Sequence, residues 1–363
     1  MGMAEPRIRL MIVDDSPVAR AVLSRMISAF DDFEIVATAG SAEEALEKLA
    51  AGPVDIVLLD VEMPGTSGLH VLPDILREGK GARVLIVSSN AEDGAEAAVR
   101  ALALGAADTL PKPGTGNFGG RFAHVLADRL RRIGRAGVAS QAEDAELADQ
   151  IEAEVASVPA QPVRSGDIQR VGCLALGAST GGLHALSEFL RGLPPVIGAP
   201  ILITQHLPPL FMPHFARQVE AASGRFTRVA EDGLQLKQEE ILIAPGEAHL
   251  CLERGGGGVR VRLNGDPAQS GCLPSVDPMF ASVAAMYGKN GLGIVFTGMG
   301  RDGLVGSGEI VARGGTIFSQ NEKSSVVWGM PRVVAEAGLA TAVGSPAHLA
   351  ALVAARVEDG AWK

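Results

Sequence analysis

Two successive α/β domains, each built on a parallel sheet, are what this sequence predicts. Three observations carry that expectation. Short apolar runs alternate with helical patterns along most of the chain, 45 glycines in 363 residues suit tight strand-to-helix turns, and only 4% of residues are aromatic. A hydrophobic content of 47% is ample for buried cores and argues against a disordered or fibrous chain.

In the first domain, strands are expected at Ile8–Val13, Phe33–Ala37, Val54–Leu59 and Val84–Val87, with a fifth ending before Lys112. Helices near Ser16–Ser28, Ala42–Ala51, Glu92–Leu104 and Phe118–Ile133 fit the gaps, which is the rhythm of βαβ units. Residues 134–169 change character, with seven acidic residues against Arg135 and Arg164 and with Pro159 and Pro162 near the end. That stretch reads as an acidic linker between a domain at 1–133 and another at 170–363. Within it Leu147, Ile151 and Val155 recur every four residues, so a short solvated helix fits as well as a plain spacer.

The second domain resumes the rhythm, with strands expected at Val171–Leu176, Ile201–Thr204, Ile241–Ala244, Leu292–Thr297 and Thr316–Ser319. Alternation at His249–Glu253 and Val259–Leu263 around the Gly255–Gly258 loop reads as an inserted β-hairpin.

A net charge of −10 gives no general basic footprint, so nucleic acid is not an expected partner. The output half also lacks a helix-turn-helix pattern. Cys173, Cys251 and Cys272 are odd in number and widely spaced, which fits free thiols in a reducing compartment and neither a disulfide framework nor a zinc site. No apolar run approaches the roughly 20 residues of a membrane helix. The first strand runs straight into Asp14 and Asp15, unlike a secretion signal. Membrane insertion is not expected, and residence is expected to be cytoplasmic.

Asp14 and Asp15 follow the first expected strand, Asp60 ends the third, Ser88 the fourth, and Lys112 follows the fifth. In an open parallel sheet these positions gather at the carboxyl edge, where such folds place ligands. Three carboxylates there need a cation, and an all-oxygen cluster selects Mg²⁺ or a similar hard ion. A phosphoryl group on Asp60 would be neutralised by that metal and by Lys112, and would be bound by the Ser88 hydroxyl.

VDDSP, LLDVEMPGTSGL, VSS and LPKP make residues 7–133 resemble the two-component receiver domain. The resemblance implies a flavodoxin-like, five-stranded parallel sheet. It also implies that Asp60 takes phosphate from a histidine kinase, that Asp14, Asp15 and Asp60 hold Mg²⁺, and that Ser88 and Lys112 read the phosphorylated state. Thr109 stands where receivers usually carry a switch Tyr or Phe, which puts the aromatic readout in question.

Gly177-Ala178-Ser179-Thr180-Gly181 follows a strand and precedes a helix near Gly182, the G-x-S-x-G pattern of a nucleophile elbow. Ser179 could equally cap that helix. A nucleophilic serine needs a base and a group to orient it. Of the five histidines beyond the linker, His206 directly follows a strand, whereas His184, His214, His249 and His348 read as structural or solvated. Asp302 sits in a glycine-rich turn after Leu292–Thr297. Asp232, Asp266 and Asp277 lack that setting, and Asp277 reads as a helix cap. Ser179, His206 and Asp302 converge if the sheet is parallel, in a chain order unlike that of the α/β-hydrolases.

GASTGG, ITQHLPP, APGEAHL, CLPSVDPMFASVA, FTGMGRDG and GMPRVVAEAG make residues 171–340 resemble the chemotaxis protein-glutamate methylesterase CheB. The resemblance implies a doubly wound, mostly parallel α/β fold and a Ser179–His206–Asp302 triad that needs no cofactor. Thr180 would lie beside the nucleophile and the Met299 backbone N–H at the oxyanion site. Its substrates would be glutamate γ-methyl esters on methyl-accepting chemotaxis receptors, often with receptor glutamines for deamidation, and its phosphodonor the chemotaxis kinase CheA. Control would come from the receiver covering the active-site edge until Asp60 is phosphorylated. The departures at Cys272-Leu273 and Gln320-Asn321-Glu322 are expected to lie outside the triad. Deamidation alone, or a non-catalytic adaptor, are the competing readings.

Overall fold

The computed structural model describes residues 6–88, 92–112, 120–135 and 171–361. Most of the acidic stretch at 134–169, including the helix considered around Leu147, Ile151 and Val155, lies outside the described residues. The chain divides into two compact units, Met1–Val138 and Ala139–Lys363, each with its own parallel sheet.

The first unit runs β1 (Ile8–Val13), α1 (Pro17–Ile27), β2 (Phe33–Ala39), α2 (Ala42–Ala51), β3 (Ile56–Leu59), α3 (Gly68–Glu78), β4 (Arg83–Ser88), α4 (Glu92–Ala103), β5 (Asp108–Pro111) and α5 (Gly120–Gly134). Its strands pair in parallel in the order β2-β1-β3-β4-β5. Helices cover both faces of such a sheet, so its central strands carry continuous apolar runs, and all four residues of β3 are buried. Ser16 and Ser41 start α1 and α2 by accepting hydrogen bonds from the N–H groups of Ala19 and Glu44.

Helix α3 escaped the sequence pattern because Pro73 lies inside it and the preceding Pro64-Gly65-Thr66-Ser67-Gly68 reads as loop. Packing overrides the local signal. Val71, Leu72 and Ile75 are buried, and Gly68 lies so close to Asp60 that a Cβ would collide with the Asp60 carbonyl.

The second unit contains β6 (Cys173–Ala178), α6 (Gly182–Arg191), β7 (Ile201–Gln205), α7 (Met212–Ser223), β8 (Thr227–Val229), β9 (Ile241–Ile243), β10 (His249–Gly255) and β11 (Gly258–Asn264). It continues through α8 (Val276–Tyr287), β12 (Gly291–Val295), α9 (Leu304–Ala312), β13 (Thr316–Gln320), α10 (Met330–Glu336), β14 (Ala342–Gly344) and α11 (Pro346–Ala361). Its seven-stranded sheet has the order β14-β13-β12-β6-β7-β9-β8, parallel at every pairing. The edge strands β8 and β14, three residues each, were too short to give an apolar run.

β10 and β11 form the expected antiparallel hairpin, whose Leu250, Leu252 and Val261 pack with Met279, Phe280 and Val283 of α8. That contact holds the start of α8 near the sheet edge where the candidate site lies. From β6 the chain builds outward to β7 on one side, then returns to β12 on the other. The carboxyl end of β6 is therefore the switch point of a doubly wound sheet, the crevice where such folds bind ligands. No helix among the described residues is long and apolar enough to cross a membrane.

Candidate active site

In the first unit the register dictates which side chains meet. Val13 pairs with Leu59, so Asp14 and Asp60, each one residue further along, emerge side by side. The Lys112 N–H donates to the Ser88 carbonyl at 2.7 Å, bringing the end of β5 to the end of β4. Carboxylate oxygens of Asp14, Asp15 and Asp60 lie within 4.8 Å of one another.

Lys112 Nζ donates to Asp14 Oδ2 at 2.9 Å and to Asp60 Oδ2 at 2.7 Å. Burial pushes the Asp60 carboxyl above its ordinary value, with the Asp14 charge adding, although Lys112 pulls the other way. For Lys112, burial opposes the ammonium, but hydrogen bonds to Asp60 and Asp14 outweigh it and hold the group above the usual lysine value.

The donor set fits magnesium, because all three groups offer hard oxygens. Ser88 Oγ is fully buried with no hydrogen-bond partner, an unusual state that a phosphoryl oxygen on Asp60 would relieve. Thr109, in register with Ile86 of β4, likewise buries a hydroxyl without a partner.

In the second unit Ser179 leaves the end of β6, flanked by β7 and β12. Gly181 has φ 77° and is the N-cap of α6, so Ser179 itself lies before the cap and not at it. The turn is held through backbone atoms. Ser179 N–H donates to Thr297 O at 3.0 Å, and the Ser179 carbonyl accepts from Gly182 N–H and from Gln205 Nε2, both at 2.8 Å. Close packing demands glycine on both sides. A Cβ at 298 would lie 2.7 Å from Ser179 Cβ, and one at 182 would collide with Gln205 Oε1.

The pairing Ala178–Gln205 puts Ser179 and His206 at adjacent positions on neighbouring strands. His206 Nε2–H donates to Asp302 Oδ2 at 2.7 Å, which leaves Nδ1 as the nitrogen available to accept a proton. Both His206 and Ser179 are half-buried, whereas Asp302 is only 1% exposed. Burial works against the imidazolium, but the hydrogen bond and charge of Asp302, together with neighbouring Cys272, raise His206 above its ordinary value.

Asp302 is seated on the amino end of α8. Ser275 Oγ donates to Oδ1 at 2.6 Å, Val276 N–H to Oδ2 at 2.8 Å and Asp277 N–H to Oδ1 at 3.4 Å. Burial alone would push this carboxyl up, but His206, Ser275 and the Val276 amide hold it down, at about 2.

The other histidines stand apart. His184 and His348 are exposed, His214 meets Arg217, and His249 links Ser275 N–H to the Asp266 carbonyl. Met299 is 39% exposed in the loop after β12, and its chain neighbour Gly298 is the residue packed on Ser179. Thr180 is buried, its carbonyl accepting from Thr297 Oγ1 at 2.9 Å.

One expectation needs correction. Asp277 is not the cap of α8: Ser275 is, and Asp277 sits in the first turn with its carboxyl accepting from Gly306 N–H at 2.8 Å. Cys272 is no member of the triad, but it lies beside two of its residues. The loop leading into α8 folds back as α8 docks on Asp302, and the Cys272 sulfur, His206 and Asp302 offer ligand atoms within 4.8 Å of one another. Gln205 and Ser275 have no role that the sequence assigns, although they sit in the motifs ITQHLPP and CLPSVDPMF.

Asp277 provides a test of this buried carboxylate pair. Burial and the neighbouring Asp302 charge push its carboxyl up to about 8. The folded chain then keeps a proton that an unfolded aspartate releases near pH 4, so stability falls as pH rises from there towards 8. Asn cannot titrate. Asp277→Asn is therefore expected to gain stability over the parent as pH goes from 5 to 9, by about 1–3 kcal/mol, read as melting temperatures across pH. Parallel pH curves for the two proteins would refute the protonated state.

Comparisons with known proteins agree on both units. The family model "CheB methylesterase" matches residues 174–353, and "Response regulator receiver domain" matches residues 10–117. A protein-glutamate methylesterase/protein-glutamine glutaminase of Paramagnetospirillum magneticum is 38% identical, covering 94% of this chain and 93% of that protein. One from Caulobacter vibrioides is 40% identical over 93% of this chain and 95% of its own. The crystal structure of the Thermotoga maritima CheB methylesterase catalytic domain, 31% identical, covers 52% of this chain and 98% of that one with a TM-score of 0.49.

Proposed function

Because this chain belongs to the CheB methylesterase family, with a response-regulator receiver ahead of the esterase, we propose that it is a phosphorylation-controlled serine hydrolase of chemotaxis receptors. It hydrolyses glutamate γ-methyl esters to glutamate and methanol, and deamidates receptor glutamines, which resets receptor sensitivity. Its substrates are methyl-accepting receptors, its phosphodonor is the kinase CheA, and its place is the cytoplasm.

The observation that carries the catalytic assignment is the 2.7 Å His206–Asp302 hydrogen bond, at the strand next to an elbow serine and at the sheet's switch point. Ser179 Oγ attacks the ester carbonyl while its proton passes to His206 Nδ1, and the charge left on the imidazolium is balanced by Asp302. Backbone N–H groups around the elbow, with that of Met299, receive the oxyanion, and Thr180 lines the substrate side. The imidazolium then returns the proton to the leaving methoxide, and methanol departs. Water, deprotonated by the same nitrogen, attacks the acyl-serine and frees the glutamate carboxylate. For a glutamine the identical proton goes to the amine, which leaves as ammonia. Among the described residues no Ser179–His206 hydrogen bond is formed, a contact that commonly tightens only with substrate bound.

In the receiver, Asp60 is the phosphoacceptor and Asp14, Asp15 and Asp60 would hold magnesium, which when bound neutralises the phosphoryl oxygens. Lys112 adds a second positive charge, and Ser88 donates its hydroxyl to the new phosphoryl group.

The test is methanol release from methylated receptor and ammonia release from its glutamine form, with and without a small phosphodonor and Mg²⁺. Both products are expected, with rates rising about tenfold or more on phosphorylation. Asp60→Asn is expected to remove the rise. Ammonia without methanol would leave a deamidase only, and neither product would leave a non-catalytic adaptor.

A further inference from the structure

We propose that His206, Cys272 and Asp302 form a binding site for Zn²⁺, and that zinc held there arrests the esterase by occupying the imidazole that Ser179 needs. The three side chains come from separate places, the end of β7, the loop before α8 and the turn after β12, yet offer ligand atoms within 4.8 Å of one another. Zinc bonds of about 2.0–2.3 Å in a tetrahedron set ligand atoms roughly 3.2–3.8 Å apart. The His206–Asp302 contact at 2.7 Å, bridged by a proton, has only to open slightly when metal replaces that proton.

The donor set selects the metal. A thiolate, an imidazole and one carboxylate suit zinc, whereas the three carboxylates of the receiver suit magnesium, so the chain sorts the two ions by chemistry. Three protein ligands leave the fourth position for water. The site is also reachable, since His206 and Cys272 are half-buried and the adjoining Leu273 is 50% exposed. Its outer contacts are already in place. Ser275 Oγ at 2.6 Å and Val276 N–H at 2.8 Å orient the Asp302 carboxylate, as partners of metal-bound carboxylates do.

Binding at Nε2 moves the proton between His206 and Asp302 onto Nδ1, which keeps the imidazole neutral, and sends the proton of the Cys272 thiol to solvent, without any redox change. A coordinated imidazole no longer accepts the serine proton. The site itself stands apart from the esterase reading, whereas the arrest rests on it.

The experiment uses full-length, untagged, unphosphorylated protein. Titration with Co²⁺ is expected to give thiolate-to-cobalt charge-transfer absorption and the intense visible bands of a four-coordinate ion. The all-oxygen receiver cluster cannot give the charge-transfer band, and Cys272→Ser is expected to lose it. In parallel, Zn²⁺ is expected to inhibit methanol release, with recovery on adding a chelator. Cys272→Ser, checked for an unchanged melting temperature, is expected to need at least about tenfold more zinc for half inhibition. Absence of the charge-transfer band, or identical zinc sensitivity in parent and variant, would overturn the site. A cobalt band with full turnover in the zinc-loaded protein would overturn the arrest. A metal-free protein that releases no methanol would instead sink the esterase reading, and the spectrum would still decide the site.

Discussion

Ser179→Ala is expected to lower methanol release from methylated receptor by about 10⁵–10⁶-fold, because the members of a nucleophile–base–acid set act as one unit. The structure makes this a clean experiment. The hydrogen bonds that shape the elbow use the Ser179 backbone, with its N–H to Thr297 O and its carbonyl to Gly182 N–H and Gln205 Nε2. Removing Oγ therefore takes away the proposed nucleophile and leaves the turn in place, so melting temperature and Asp60 phosphorylation should be unchanged. A variant retaining a hundredth of the parental rate would exclude Ser179 as the nucleophile.

Asp302→Asn is expected to cost about 10⁴-fold in kcat, although it changes hardly any volume. The present carboxylate accepts from every side, taking His206 Nε2–H, Ser275 Oγ–H and Val276 N–H. An amide cannot do this. Its NH₂ must face either the imidazole, which then holds its proton on the wrong nitrogen, or the amino end of α8, where it meets other donors. The pH profile carries a second signature. A general base works only when neutral, so if His206 is the base, with its pKa raised by Asp302, parental kcat/KM should climb through an ascending limb above the ordinary histidine value of about 6.5. In Asp302→Asn the residual activity should show that limb displaced towards lower pH. A variant keeping more than a tenth of the parental kcat would show that Asp302 does not orient the base.

Much of this was legible before any coordinates. The apolar runs of β1, β6, β7, β9 and β13 each stop close to where a functional residue or turn begins, because a strand buried on both faces must be apolar until it reaches the sheet edge. Asp14, Asp60 and Ser179 could be named from that rule, since each is the first polar residue beyond such a run, and His206 follows one residue past the polar end of β7. Helix α3 was not legible, because Pro73 and the glycine-rich approach argue locally for a loop while burial of Val71, Leu72 and Ile75 decides otherwise. β8 and β14 were missed because three residues at a sheet edge have no periodicity to read.

The site divides in the same way. The linear chain gives Ser275 no role, since nothing in it says that the amino end of α8 points at Asp302. Asp277 was read as a cap from its place before a helical run, and the true cap lies two residues earlier. That Cys272 lies beside His206 was not legible, because 66 positions of sequence separate them and distance along the chain carries no information about contacts across a sheet edge.

The sequence by itself determined the two α/β units, the parallel strands, and the side chains set at the carboxyl edges, because burial and chain periodicity are local properties written into residue order. Only the tertiary structure decided which nitrogen of His206 meets Asp302, that the start of α8 holds that carboxylate, and that a thiol lies beside the base. Those facts depend on how separate elements pack, and packing angles are set by the whole core and not by any one segment.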